Sequence, residues 1–249
     1  MAKQKSFLKI EGTLDELTFY KQGGAYHVRQ KGGVSGERIA RDPAFARTRE
    51  NGQEFGLAAK SGKTLRQAFR SQLIQVRDQR LSGRLSKKMH ALKKLDATSI
   101  RGERNVGVGI EAAGAKELLK GFDFNSNAQL SGILSQILTL DPLTGIMSLL
   151  AFNPTDQLVP PAGATHFSIR GVWAKVDFVN NVVEQQQSNI ENRALDAPAS
   201  DITLTPVALP LGAGTDVFAV LLEFFQEVNG NQYALQNGTH NAFTIIEVL

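Results

Sequence analysis

The feature that most restricts the fold is a change of hydrophobic period near residue 122. Upstream, apolar side chains recur every three or four positions: Leu65, Phe69, Leu73 and Val76, then Leu85, Met89 and Leu92. That spacing gathers each group on one face of a helix, with Gly62 reading as a terminator or interhelical turn before it. Downstream, runs such as GIMSLLAF, THFSIRGVWAKVDFVNN and VFAVLLEFF are bounded by Pro, Gly and Asn and have the composition of strands. Asn229-Gly230 signals a hairpin, because a type I′ turn needs positive φ at both central residues.

Charge changes at the same place. Residues 1–120 hold 25 Lys and Arg against 12 Asp and Glu, and residues 121–249 hold 3 against 12, so a net +4 conceals a basic half and an acidic half. Such asymmetry suits either a polyanionic partner for the basic half or pairing of opposite halves within or between chains.

The segment FLKIEGTLDELTFYKQGGAYHVRQKGG (Phe7 to Gly33) reads as a β-hairpin or three-stranded ribbon. Leu17 and Phe19, then Tyr26 and Val28, stand on alternate positions, and Gly23-Gly24 lies between them. Asp42-Pro43 predicts a helix start: the carboxylate caps, and proline lacks only an N–H that would go unbonded there. A further helix is expected within GIEAAGAKELLKGF. Both termini read as strands, SFLKIEG and AFTIIEVL, able to pair at home or to extend a neighbour's sheet.

Catalytic motifs fail on spacing and context. GLAAKSGKT (Gly56 to Thr64) resembles a phosphate loop, but five residues separate the two glycines instead of four, and no buried strand precedes it. GVGIEA from Gly107 approximates a dinucleotide fingerprint without the strand that should lead into it. His27, His90, His166 and His240 lack ligand spacing, and no nucleophile elbow singles out a serine. Trp173, Phe218, Phe224 and Phe225 read as core. Catalytic residues, cofactors and metals are therefore all expected to be none, and an enzyme is not expected.

With no cysteine the chain has no disulfide framework or thiolate ligand. The start lacks a secretory pattern, and the longest apolar region, Leu130 to Phe152, is interrupted by Gln136, Asp141 and Pro142. The expectation is a cytoplasmic protein without a membrane partner.

One constellation stands out. Lys63, Arg66, Arg70, Arg77 and Arg80 fall beside the first apolar stripe, and Lys87, Lys88, Lys93 and Lys94 beside the second. Cations so spaced can neutralise phosphates, meet an acidic protein surface, or simply form a solvated face.

The block GTLDELTFYKQGGAYHVRQKGGVSGERIARDPAFARTRENGQEFG (Gly12 to Gly56) resembles one in a family of bacterial proteins without an assigned activity. The resemblance implies a bacterial cytosolic origin and assigns no role to Tyr20, Arg29, Arg47 or Arg49.

The expected architecture is α+β: residues 1–125 form an N-terminal β-ribbon with a basic helical domain, and residues 126–249 an acidic antiparallel β-sandwich of immunoglobulin-like type. The expected function is a self-assembling structural or scaffold protein whose partner is itself, forming a homo-oligomer or filament through head-to-tail contacts. The alternative is nucleic-acid binding through the basic helical region.

Overall fold

The structure is a computed structural model that describes residues 2–5 and 7–249. It separates into two compact units, residues 1–49 and 50–249.

The smaller unit contains a four-stranded antiparallel sheet of β1 (Ala2–Lys3), β2 (Gly12–Leu14), β3 (Leu17–Gln22) and β4 (Ala25–Gln30), in the order β1-β4-β3-β2. Gly23 (φ 58°) and Gly24 (φ 79°) make the turn between β3 and β4, as the sequence leads one to expect. Cross-strand pairs Phe19 with Val28, Leu14 with Leu17 and Lys21 with Tyr26 define one sheet face, largely apolar with lysine at its margin. The opposite face carries Tyr20 stacked on His27, with the Arg29 guanidinium over the tyrosine ring. Ser6 lies outside the described residues, and Phe7 to Glu11 form no strand, so the expected SFLKIEG strand is replaced by the two-residue β1.

Ser35 caps α1 (Gly36–Arg41), and Asp42 then accepts from the Ala44 amide at 2.9 Å. The chain turns there through Pro43–Phe45 into α2 (Ala46–Ala68), so the helix start at Asp42-Pro43 holds. Its course differs from expectation, however. Gly62 lies inside α2 as a buried residue facing Leu85 and Met89, and the helix ends only at Ala68. The segment GLAAKSGKT is thus continuous helix, with no loop to cradle a phosphate. After α2 come α3 (Arg70–Leu73) and α4 (Leu81–Lys93), the latter burying Leu85, Met89 and Leu92. Val106–Gly109 and Lys116–Leu118 are single turns, less than the helix expected there.

Two antiparallel sheets follow. The smaller joins β5 (Thr139–Leu140), β6 (Met147–Phe152) and β10 (Ser200–Leu204). The larger, curled sheet joins β7 (His166–Asp177), β8 (Val182–Gln187), β9 (Glu191–Ala194), β11 (Thr215–Val228), β12 (Asn231–Ala234) and β13 (Ala242–Val248). β11 and β12 meet at Asn229 (φ 53°) and Gly230 (φ 77°), the expected positive-φ hairpin. The C-terminal strand β13 pairs with β11 of its own sheet and is closed on its other side by Gly121 to Phe124, whose amides bond Ile245 and Phe243 carbonyls at 2.8 and 2.7 Å.

The packing explains both apolar runs. Along β11, Val217, Ala219 and Leu221 face the helical layer with Leu65, Phe69, Leu85 and Met89, whereas Phe218, Val220, Leu222 and Phe224 face Met147, Leu149, Ile202 and Leu204 of the small sheet. A strand buried on both faces reads as continuous hydrophobic sequence. The small sheet covers one face of the large sheet and helices cover the other, so residues 126–249 share their core with the helical layer. For the same reason, residues 50–125 group with 126–249 in one compact unit. The fold is α+β with antiparallel sheets.

Candidate functional site: cations on the helical layer

Each of the nine candidate cations is placed by its helix or loop. Lys63, Arg66 and Arg70 follow α2 into α3, with Lys63 and Arg70 exposed. Arg66 is half-buried and spans to α4, donating from Nη1 to Ser82 Oγ at 2.7 Å. Lys87 and Lys94 are exposed two helical turns apart, and Lys88 is half-buried beside them.

Lys93 is a correction. It is 7% exposed, and its Nζ donates to Glu54 Oε2 at 2.7 Å, so it offers no charge to a partner. The physical reason is helical phase: Lys93 follows Met89 by four residues and Leu92 by one, which turns it onto the core stripe.

The other eight have no carboxylate within ion-pairing distance among the described residues. Neighbouring cations are already committed. Arg84 pairs with Asp78 at 2.6 Å, Arg101 with Glu50 at 3.1 Å, Arg104 with Glu54 at 2.7 Å and Lys120 with Glu247 at 2.6 Å. What remains exposed is an uncompensated positive surface, and only Lys120 of the paired group reaches a carboxylate of the acidic half.

Arg77 and Arg80 come together in a way the linear spacing did not signal. They sit on the loop between α3 and α4 and line one open cavity of about 490 Å³ with Asp78, Gln79, Ser126 and Asn127. The loop is held from several sides. Val76 is buried in the core, and the Gln75 carbonyl accepts from Asn241 Nδ2 at 2.8 Å. Asn241 in turn receives Asn125 Nδ2 on its carbonyl at 2.9 Å, and both asparagines are buried. Gly238, at φ +80°, packs against that same Gln75 carbonyl where a Cβ would overlap it. Asp78 accepts from the amides of Arg80 (2.6 Å) and Ser126 (3.0 Å) and from Arg84. Burial opposes its ionisation, but these bonds prevail and hold its carboxyl at about 2.

Compared with protein-family models, curated proteins and solved structures, the chain matches none. The functional reading therefore rests on geometry and charge.

Among the described residues no three His, Asp or Glu side chains gather as metal ligands, and no helix is long and apolar enough to cross a membrane. Trp173 and Phe218 pack at a tilt in the core with ring centroids 4.9 Å apart, and the indole Nε1 donates to Asp216 at 2.7 Å, which accounts for them structurally. Phe224 is likewise core, while Phe225 pairs with His166 and Ala234 in the sheet.

Proposed function

We propose that the chain is a self-assembling structural protein of the cytoplasm, with further copies of itself as partner and no catalytic role. The observation that carries this reading is that no described residue from Ala2 to Arg49 is buried. A four-stranded sheet needs a covered apolar face to be stable, because burying apolar area supplies most of the folding free energy. Here Leu14, Leu17, Phe19, Tyr26 and Val28 share such a face and are exposed or half-buried.

A second copy suits that face by charge. Residues 1–49 hold 10 Lys and Arg against 5 Asp and Glu, and the exposed cations of α2 to α4 add to them, whereas residues 121–249 are acidic. Contact between unlike surfaces of successive copies is heterologous and yields rings or filaments. Light scattering on the eluting full chain should give a mass well above 27.1 kDa, with regular particles in negative stain after nuclease treatment. Replacing Phe19 and Val28 together by Asp should release the monomer. A wild-type chain that stays at 27.1 kDa at high concentration would overturn the proposal.

The eight unpaired cations also support the second reading, nucleic-acid binding. It requires affinity that falls steeply with salt, because each neutralised phosphate releases counterions. Affinity unchanged between low and moderate salt would remove it.

A further inference from the structure

We propose that the loop joining α3 to α4 is a binding site for a small phosphate-bearing molecule, held between Arg77 and Arg80. Four polar side chains around its cavity, Arg77, Gln79, Arg80 and Asn127, have no partner among the described residues; the hydrogen bonds at Arg80 and Asn127 are made by backbone, through both amides and the Arg80 carbonyl. All four present N–H donors, and Asp78 is already occupied by Arg84 and two backbone amides.

Charge selects the ligand. Asp78 and Arg84 neutralise each other at 2.6 Å, which leaves two positive guanidinium groups facing the cavity. A phosphomonoester carries about −1.5 to −2 at neutral pH, a match in magnitude. Guanidinium forks also bond tetrahedral oxyanions bidentately, which a lysine pair cannot do. A cavity of about 490 Å³ falls within the size of small-molecule sites and has room for more than the phosphate itself.

Rigidity favours the same conclusion. The loop backbone is pinned by Val76, Asn241 and Asp78 before any ligand arrives, so binding has to order the two arginine side chains but not the loop that carries them. Residues from three distant stretches, 75–80, 125–127 and 238–241, cooperate to hold it.

The test is calorimetric titration of the full-length chain with inorganic phosphate and, separately, with glycerol 3-phosphate, in chloride buffer at constant ionic strength. Both should bind saturably at one site per chain, the ester more tightly. Arg77→Gln with Arg80→Gln should weaken both by about tenfold or more, the size expected for lost bonds to a charged ligand. Lys87→Gln with Lys94→Gln removes the same charge from α4 and its C-terminal cap and should leave affinity within about twofold, since these exposed charges lie about two and four helical turns from Arg80, a Debye length or more away. Arg77→Lys, which keeps charge but loses the fork, should weaken binding partially.

Equal loss in the two double variants would reduce the site to general cationic attraction and overturn the proposal. So would the absence of saturable phosphate binding by the wild-type chain, or binding of an oligonucleotide through Arg77 and Arg80 without binding of either small probe. Particle mass is a separate readout, so failure of this site and failure of self-assembly are distinguishable.

Discussion

Glu54 and Lys93 stand 39 positions apart in the chain yet meet with Oε2 and Nζ 2.7 Å apart, both buried. The same carboxylate receives Arg104 through Nε at 2.7 Å and Nη2 at 2.9 Å, and the Gly102 amide at 2.9 Å. Its arginine bonds lead in holding Glu54 down at about 2; burial pushes the other way, and Lys93 and Gly102 add to the lowering. One side chain on α2 thereby fastens both α4 and the segment after it.

Glu54→Ala should destabilise the protein by about 3–5 kcal/mol, because it strands Lys93 as a buried cation without a partner. Glu54→Gln, which keeps an acceptor, should lose less. Urea midpoints of the three proteins measure this, and a loss below about 1 kcal/mol for the alanine variant would mean that Lys93 finds water instead.

Acid should unfold the chain through a small set of carboxylates. Glu54, Asp78 and Asp96 each titrate at about 2 in the folded state against 4.5, 3.8 and 3.8 ordinarily. At Asp96 burial opposes ionisation, but bonds from Ser99, Asn105 and Thr98 overcome it. A folded value below the unfolded one gives stability that is present above the ordinary carboxylate range and lost as pH falls towards 2. Burial, with Lys93 and Lys94 nearby, also holds the His90 imidazole below its ordinary 6.5. Stability measured by urea titration should thus decline modestly as pH falls through the histidine range and more steeply below about 5, where the carboxylates protonate. Glu54→Gln should flatten that fall.

Gly145→Ala tests the sheet core. Gly145 has φ +71°, and a Cβ there would overlap the Trp173 ring, which its bond to Asp216 prevents from yielding. The expected cost is about 1–3 kcal/mol from backbone strain and overpacking together. As Trp173 is the single tryptophan, a shift in intrinsic fluorescence reports its displacement directly. An unchanged spectrum and melting temperature would contradict the packing described.

Charge reversal of Arg66 and Arg70 to Glu separates the uses of the helical face. Stability should change by less than about 1 kcal/mol, because neither side chain has a carboxylate partner to lose. Particle mass should fall if the face lies between copies. Unaltered particles would clear it of that role, and an unchanged salt slope with oligonucleotide would clear it of the other.

Local chemistry was legible wherever a few adjacent residues decide the outcome. Gly23-Gly24 and Asn229-Gly230 turn the chain as their tolerance of positive φ dictates, and Asp42-Pro43 starts a helix with the expected cap. The apolar stripe residues from Leu65 to Leu92 are buried except for half-buried Leu73, although the first stripe runs over two helices and Val76 lies past the end of α3. Misreadings arose where a residue's meaning depends on distant contacts. Gly62 looked like a terminator, yet Leu85 and Met89 pack over it and the helix continues. Lys93 looked like surface, yet Glu54 neutralises it in the interior.

By itself, then, the sequence determined the periods, the turns, the caps and the separation of charge, since these follow from backbone conformation and composition within a few residues. Only the tertiary structure decided that the helices share a core with the sheet, that β13 closes its own sheet, and that Arg77 and Arg80 border one cavity with Asn127. Those outcomes turn on which surfaces meet after long loops close, and the energy of such contacts is set by partners far along the chain.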